Sequence, residues 1–188
     1  MLFGRNGAGK TTLIRLLASA MRPSGGTLQW FGSTDPDRLR IAMLSHQDGL
    51  YDDLSAFEHL EMSAALLPAR TGRPSPADLL DRVGLAARSA SLVRTFSAGM
   101  RKRLAFARLL QKQADLILLD EPYSALDPQG AKLVDGLLDE FRAEGRTILT
   151  STHQVERAAA HSDRAIQLES GRVNWVGLAR DASTAGHG

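Results

Sequence analysis

The sequence predicts an α/β fold, a mostly parallel sheet flanked by helices, with an all-helical subdomain inserted into it. Three observations predict it. Short apolar runs alternate along the chain with stretches of helical periodicity, an order that builds a parallel sheet covered by helices. The run Leu116-Ile117-Leu118-Leu119 is apolar without alternation, as a strand buried on both faces requires. Between residues 51 and 94, capping and breaking signals bound helices with no strand among them.

In chain order, Met1-Leu2-Phe3 is a very short candidate strand that runs into a glycine-rich loop. Residues 12–21 read as a helix, with Leu13, Ile14, Leu16, Leu17 and Met21 on one stripe and Pro23 and Gly25-Gly26 as its stop. Residues 27–31 alternate and end at Gly32, which predicts a strand with one wet face; residues 33–38 are a polar loop holding Pro36. Residues 41–44 read as a buried strand with Ser45, His46, Gln47 and Asp48 just beyond it. Ser55 and Glu58 form a capping box that opens a helix closed by Pro68. Ser75-Pro76 opens another, closed by Gly84. Residues 97–112 are helical. After the apolar run at 116–119, Asp127-Pro128 starts a helix with Val134, Leu137, Leu138 and Phe141 on its inner face, ended by Gly145. Residues 147–150 form the next strand and 155–160 a short helix. Residues 165–168 and 173–176 form a hairpin about Ser170-Gly171. The division expected is a core of residues 1–50 and 95–178, a helical subdomain of 51–94, and a flexible tail of 179–188.

The 188 residues suffice for one domain with a real core, and 43% apolar and 23% charged residues exclude a disordered chain. Cysteine is absent, so disulfides and thiolate metal sites are excluded. The apolar runs are too short to span a bilayer, so any membrane role is peripheral. A net charge of +2 is no nucleic-acid signature, and Arg101-Lys102-Arg103 reads as the wet face of a helix.

Two stretches carry chemistry. Gly4-Arg5-Asn6-Gly7-Ala8-Gly9-Lys10-Thr11-Thr12 matches the phosphate-binding loop pattern. Glycines let backbone N–H groups approach phosphate oxygens, Lys10 adds a mobile cation, and Thr11 offers a hydroxyl to Mg²⁺. The helix that follows points its positive end at the same anion. The second stretch is the buried run that ends in Asp120-Glu121. Carboxylates at the rim of a core are costly unless something uses them. Asp120 would hold Mg²⁺, and Glu121 would take a proton from an attacking water. Ligands bind such sheets at the carboxyl ends of strands, where Gln47, Asp120-Glu121 and His153 lie.

With the phosphate loop at Gly4 to Thr12, the order Gln47, Phe96-Ser97-Ala98-Gly99-Met100, Leu118-Leu119-Asp120-Glu121-Pro122, Ser124-Ala125-Leu126-Asp127 and His153 resembles the ATPase subunits of ABC transporters, a P-loop NTPase family. Alone, Gln47 would be a surface residue and His153 a satisfied histidine near a strand end. The resemblance implies the rest. Gln47 would approach the metal and the attacking water. His153 would contact the γ-phosphate and position Glu121. Ser97 and Gly99 would contact a nucleotide held by a second copy, with Asp127 at that interface. ATP and Mg²⁺ are the implied ligands. The implied partners are a second ATP-binding subunit and an integral-membrane subunit at the inner face of the cell membrane, and no nucleic acid is expected. Within the family, the signature is similar to that of haem-exporter ATPase subunits of cytochrome c maturation.

The chain departs from the family pattern in two places. The signature usually reads Leu-Ser-Gly-Gly-Gln, so Ala98 and Met100 are substitutions, and a weakened contact across the interface is expected. The family also carries a segment ahead of the phosphate loop, with an aromatic residue that stacks on adenine. Its absence here predicts an N-terminally truncated cassette. The rival readings are a soluble ATPase of this kind acting on ribosomes or DNA, and a non-catalytic nucleotide-binding fragment.

Overall fold

The computed structural model describes residues 1–35, 40–45, 49–68 and 71–185. Its sheet is built from β1 (Leu2–Phe3), β2 (Ile41–Leu44), β3 (Leu116–Asp120), β4 (Thr147–Ser151), β5 (Arg164–Glu169) and β6 (Arg172–Leu178), in the order β2-β3-β4-β1-β5-β6. All neighbours are parallel except the β5–β6 hairpin. The very short β1 lies between β4 and β5, with Leu2 opposite both Ser151 and Ile166. Both its residues are buried.

Alternation within the strands divides the core in two. Leu2, Leu116, Leu118 and Leu168 face one side with Ile14 of α1 (Lys10–Leu17). Phe3, Ala42, Leu44, Ile117 and Leu119 face the other. There they meet α4 (Ala98–Gln111) and α5 (Pro128–Ala143) through Leu104, Val134, Leu137 and Phe141. Every residue of β3 is buried, which explains its unbroken apolar sequence.

The inserted helices α2 (Ala56–Ala65) and α3 (Pro76–Arg82) open as the sequence predicts. Ser55 and Glu58 form a reciprocal capping box, as do Ser75 and Asp78. Both helices pack on α4, which also contacts β2 and so joins the subdomain to the sheet. Short α6 (Val155–Ala160) and α7 (Ala182–Ala185) complete the fold. Among the described residues no helix is long and apolar enough to cross a membrane.

Three expectations need correction. The first helix ends at Leu17 rather than at residue 21. The Trp30 indole donates to the Leu17 carbonyl at 2.9 Å, Ser19 takes φ 56°, and Met21 is exposed. Residues 27–31 form no strand. Trp30 and Ser33 bond to each other across a tight turn, and among the described residues no neighbouring strand pairs with this segment. Alternation predicts which side chains face inward, and Trp30 is buried, but a strand also requires a partner for its N–H and C=O groups. Residues 179–185 are not a frayed tail. Ala179 and Ala182 are each 1% exposed, and the Ala179 amide donates to Asp163.

Candidate functional site

The phosphate loop connects buried β1 to α1. Gly4 has φ 145°, and a Cβ there would lie 2.1 Å from the Leu168 carbonyl oxygen, so the loop starts pressed against β5. Gly9 precedes α1 with φ 102° and faces Gly171, whose amide donates to the Ala8 carbonyl. The β5–β6 turn therefore buttresses the loop from outside. Lys10, 7% exposed, folds back over the loop and donates from Nζ to the carbonyls of Gly4 (2.8 Å) and Arg5 (3.2 Å). The ammonium is thus held against the carbonyls at the start of the loop.

Asp120 ends β3 at the same edge. Its Oδ2 accepts from the Thr11 hydroxyl at 2.8 Å, across 109 positions of sequence. Its Oδ1 accepts from the Ser151 hydroxyl at 2.5 Å. Sequence reasoning missed Ser151. The available signal is the polar triplet Ser151-Thr152-His153 at the carboxyl end of a parallel strand, all but His153 buried. Ser151 also holds the next residue, because its carbonyl (3.1 Å) and hydroxyl (3.2 Å) both accept from the Glu121 amide.

Glu121 adopts φ 50°, in the left-handed region that a β-carbon disfavours. Its Oε1 is buried without a hydrogen bond among the described residues, yet lies 3.1 Å from Nε2 of the half-exposed His153. The His153 amide approaches Oε2 at 3.4 Å. Glu121 lines the cleft with its carboxylate held against His153, the placement a proton acceptor needs.

A cleft of about 280 Å³ is lined by Asn6, Gly7, Ala8, Gly9, Lys10, Thr11, Thr12, Asp120, Glu121 and His153. The structure thus brings together nearly all the residues singled out around the phosphate loop. Gln47 lies outside the described residues. Thr11 and Asp120 offer a hydroxyl and a carboxylate side by side, the donor set that Mg²⁺ takes when phosphates and water supply the rest.

Ser97 and Gly99 do not line this cleft. Ser97 is exposed and caps α4, its hydroxyl accepting from the Met100 amide at 3.2 Å. Ala98 begins the helix, exposed, in a conformation that tolerates its methyl. A Cβ on Gly99 would meet the Ala125 carbonyl at 3.2 Å, so the helix start and the Ser124–Asp127 loop are in close contact. Met100 packs partly buried against the core. Asp127 caps α5, its Oδ1 accepting from Gly130 at 2.7 Å.

With this geometry in hand, the comparisons agree with one another. A family model described as ABC transporter matches residues 1–124. The chain is 40% identical over 157 residues to the Cytochrome c biogenesis ATP-binding export protein CcmA of Nitrosomonas europaea, covering 80% of this chain and 73% of that protein. It is 38% identical over 178 residues to the Nod factor export ATP-binding protein I of Ralstonia nicotianae, covering 91% of this chain but 56% of that one. Among solved structures it is similar to an ATP-binding cassette captured as a dimer in a post-hydrolysis state with ADP and Pi. The TM-score is 0.83 at 25% identity, covering 95% of this chain and 84% of that one.

Proposed function

The chain belongs to the ABC transporter family, and from that premise we propose how its own residues divide the work of ATP hydrolysis. It is an ATP-binding, ATP-hydrolysing subunit of such a transporter. The amides of Asn6 to Thr12 and the start of α1 grip the phosphates, and Lys10 turns from its own loop carbonyls toward them. Thr11 and Asp120 hold Mg²⁺, which when bound draws charge off the phosphates. Ser151 fixes the rotamer of Asp120. Glu121 accepts the proton of the attacking water, and His153 keeps its carboxylate aimed.

The observation that carries this reading is the pairing of Thr11 with Asp120 at 2.8 Å and of Glu121 with His153 at 3.1 Å on one rim of one sheet. Phosphate-loop hydroxyl, metal carboxylate and candidate base thereby converge on one cleft. Ser97 and Gly99 are supplied to that cleft by a second copy of the chain, since their own cleft excludes them. The assembly works at the inner face of the membrane on a separate membrane-spanning subunit, with residues 51–94 as the contact. Both relatives named above are called export proteins, one of cytochrome c biogenesis and one of Nod factor. Export is the direction we assign, with cargo choice left to the membrane subunit.

Glu121→Gln tests the central assignment. It keeps the shape and loses the base, so ATP binding is retained while turnover falls by roughly 10²-fold or more. Unchanged turnover removes Glu121 from that role.

A further inference from the structure

The two segments that carry Glu121 and His153 are short turns, held locally by bonds from Ser124 to the Glu121 carbonyl and from the Gln154 amide to the Thr152 hydroxyl. Glu121 opens a loop with two residues in the left-handed region, itself (φ 50°) and Ala125 (φ 62°), a strained arrangement that surrounding contacts must impose. His153 precedes α6, which spans only Val155–Ala160 and has no side-chain cap at its start. So short a helix does not persist without tertiary contacts.

Both segments are tied to one carboxylate on α5. Tyr123, two residues after Glu121 and 4% exposed, donates its hydroxyl to Asp135 Oδ1 at 3.0 Å. Arg157, four residues after His153, donates to the same oxygen from Nε at 3.1 Å and to Oδ2 from Nη2. Its guanidinium also lies over the Tyr123 ring, 5.1 Å from the centroid. Burial, and then the neighbouring Asp135 charge, push the Tyr123 hydroxyl well above its ordinary range, so it stays a donor. His161 ties the far end of α6 to Asp139 at 2.8 Å and approaches Asp135 at 3.4 Å.

We propose that Tyr123, Asp135 and Arg157 form a positioning clamp that sets the Glu121–His153 distance by pinning both segments to α5. None of the three lines the phosphate cleft, so none touches the reacting atoms. The clamp rests on the ATPase reading and adds a requirement to it: hydrolysis depends on residues that nucleotide binding does not need.

The test uses the whole chain and measures kcat and KM for ATP. Arg157→Met keeps an apolar stem over Tyr123 and removes both bonds to Asp135, while His161 still anchors α6. It lowers kcat roughly ten- to a hundredfold, with KM within about twofold. Tyr123→Phe, which removes one hydroxyl and keeps the ring, lowers kcat less and in the same pattern. In a His153→Ala background, adding Arg157→Met lowers kcat no further, because the pair it positions is already gone. Three results overturn the clamp: kcat unaffected by both variants, KM rising in step with the loss of kcat, or an undiminished effect of Arg157→Met in the His153→Ala background. No turnover by the unaltered chain overturns the ATPase reading and the clamp with it. Normal turnover that ignores Arg157 overturns the clamp alone.

Discussion

Gly4 and Gly7 both take positive φ, yet the structure ranks them very differently. A Cβ on Gly4 would overlap the Leu168 carbonyl at 2.1 Å, whereas one on Gly7 would meet nothing within 4 Å. Gly4→Ala must therefore move the loop or β5, and should lower stability by about 2 kcal/mol or more, with Gly7→Ala costing less. Thermal melting of the two variants side by side checks the order, and equal melting points would refute it. Lys10 is the other decisive residue. Replacing it by Ala removes the ammonium that lines the cleft beside the phosphate loop, so ATP binding at millimolar nucleotide should disappear in a direct binding titration. Tight binding by Lys10→Ala would discredit the phosphate-loop assignment. These residues were legible in the sequence because the motif ties side chain to backbone geometry. Ser151 was not singled out: the polar triplet at its strand end was a signal, but only the strand register shows that its hydroxyl meets Asp120.

Among elements, those written in local chemistry came through, as did the apolar strands of the sheet, while two boundaries set by a neighbour did not. The Ser55 and Ser75 capping boxes, Pro76 and Pro128 near helix starts, and the break at Gly145 stand where the residues put them. Residues 27–31 carry a strand's alternation and lack a strand's partner, while α1 stops early because Trp30 takes its last carbonyl. The clamp between α5 and α6 shows the same dependence, since Asp135, Tyr123 and Arg157 meet only after folding. Burial opposes ionisation of Asp135, but the bonds from Arg157 and Tyr123 outweigh it and hold the carboxyl below the usual carboxylate range. The folded chain then binds fewer protons at Asp135 than the unfolded chain does. Its stabilisation is full above the unfolded value of about 4 and is lost as pH falls through the lower folded value. Asp135→Asn should therefore melt lower than the unaltered chain at neutral pH, with the gap narrowing as the acid side is approached. A gap independent of pH from 7 down to about 3 would show that the charge of Asp135 contributes nothing.

At the scale of the whole molecule, the phosphate-loop cleft and the start of α4 are separate features of one chain. Lys10, Thr11, Asp120 and Glu121 line the cleft, while the exposed Ser97 tip of α4 stands outside it. The close approach of Gly99 to the Ala125 carbonyl links that tip to the segment that follows Glu121. If two copies meet head to tail, each cleft is completed by its partner's Ser97, and turnover should rise more steeply than linearly with protein concentration. A mixing experiment separates this from completion within one chain. Lys10→Ala and Ser97→Arg are each inactive alone, the first without its phosphate cation and the second with a bulky side chain in place of the cap. In a mixed dimer one cleft inherits both lesions, and the other combines an intact Lys10 with an intact Ser97. Equimolar mixing should therefore restore turnover to about a quarter of the unaltered rate, since half the dimers are mixed and half their clefts are whole. If Ser97 instead served the cleft of its own chain, no mixture would regain activity. Activity in the mixture that tracks the square of total concentration at high dilution, where monomer predominates, would identify the dimer as the unit that hydrolyses ATP.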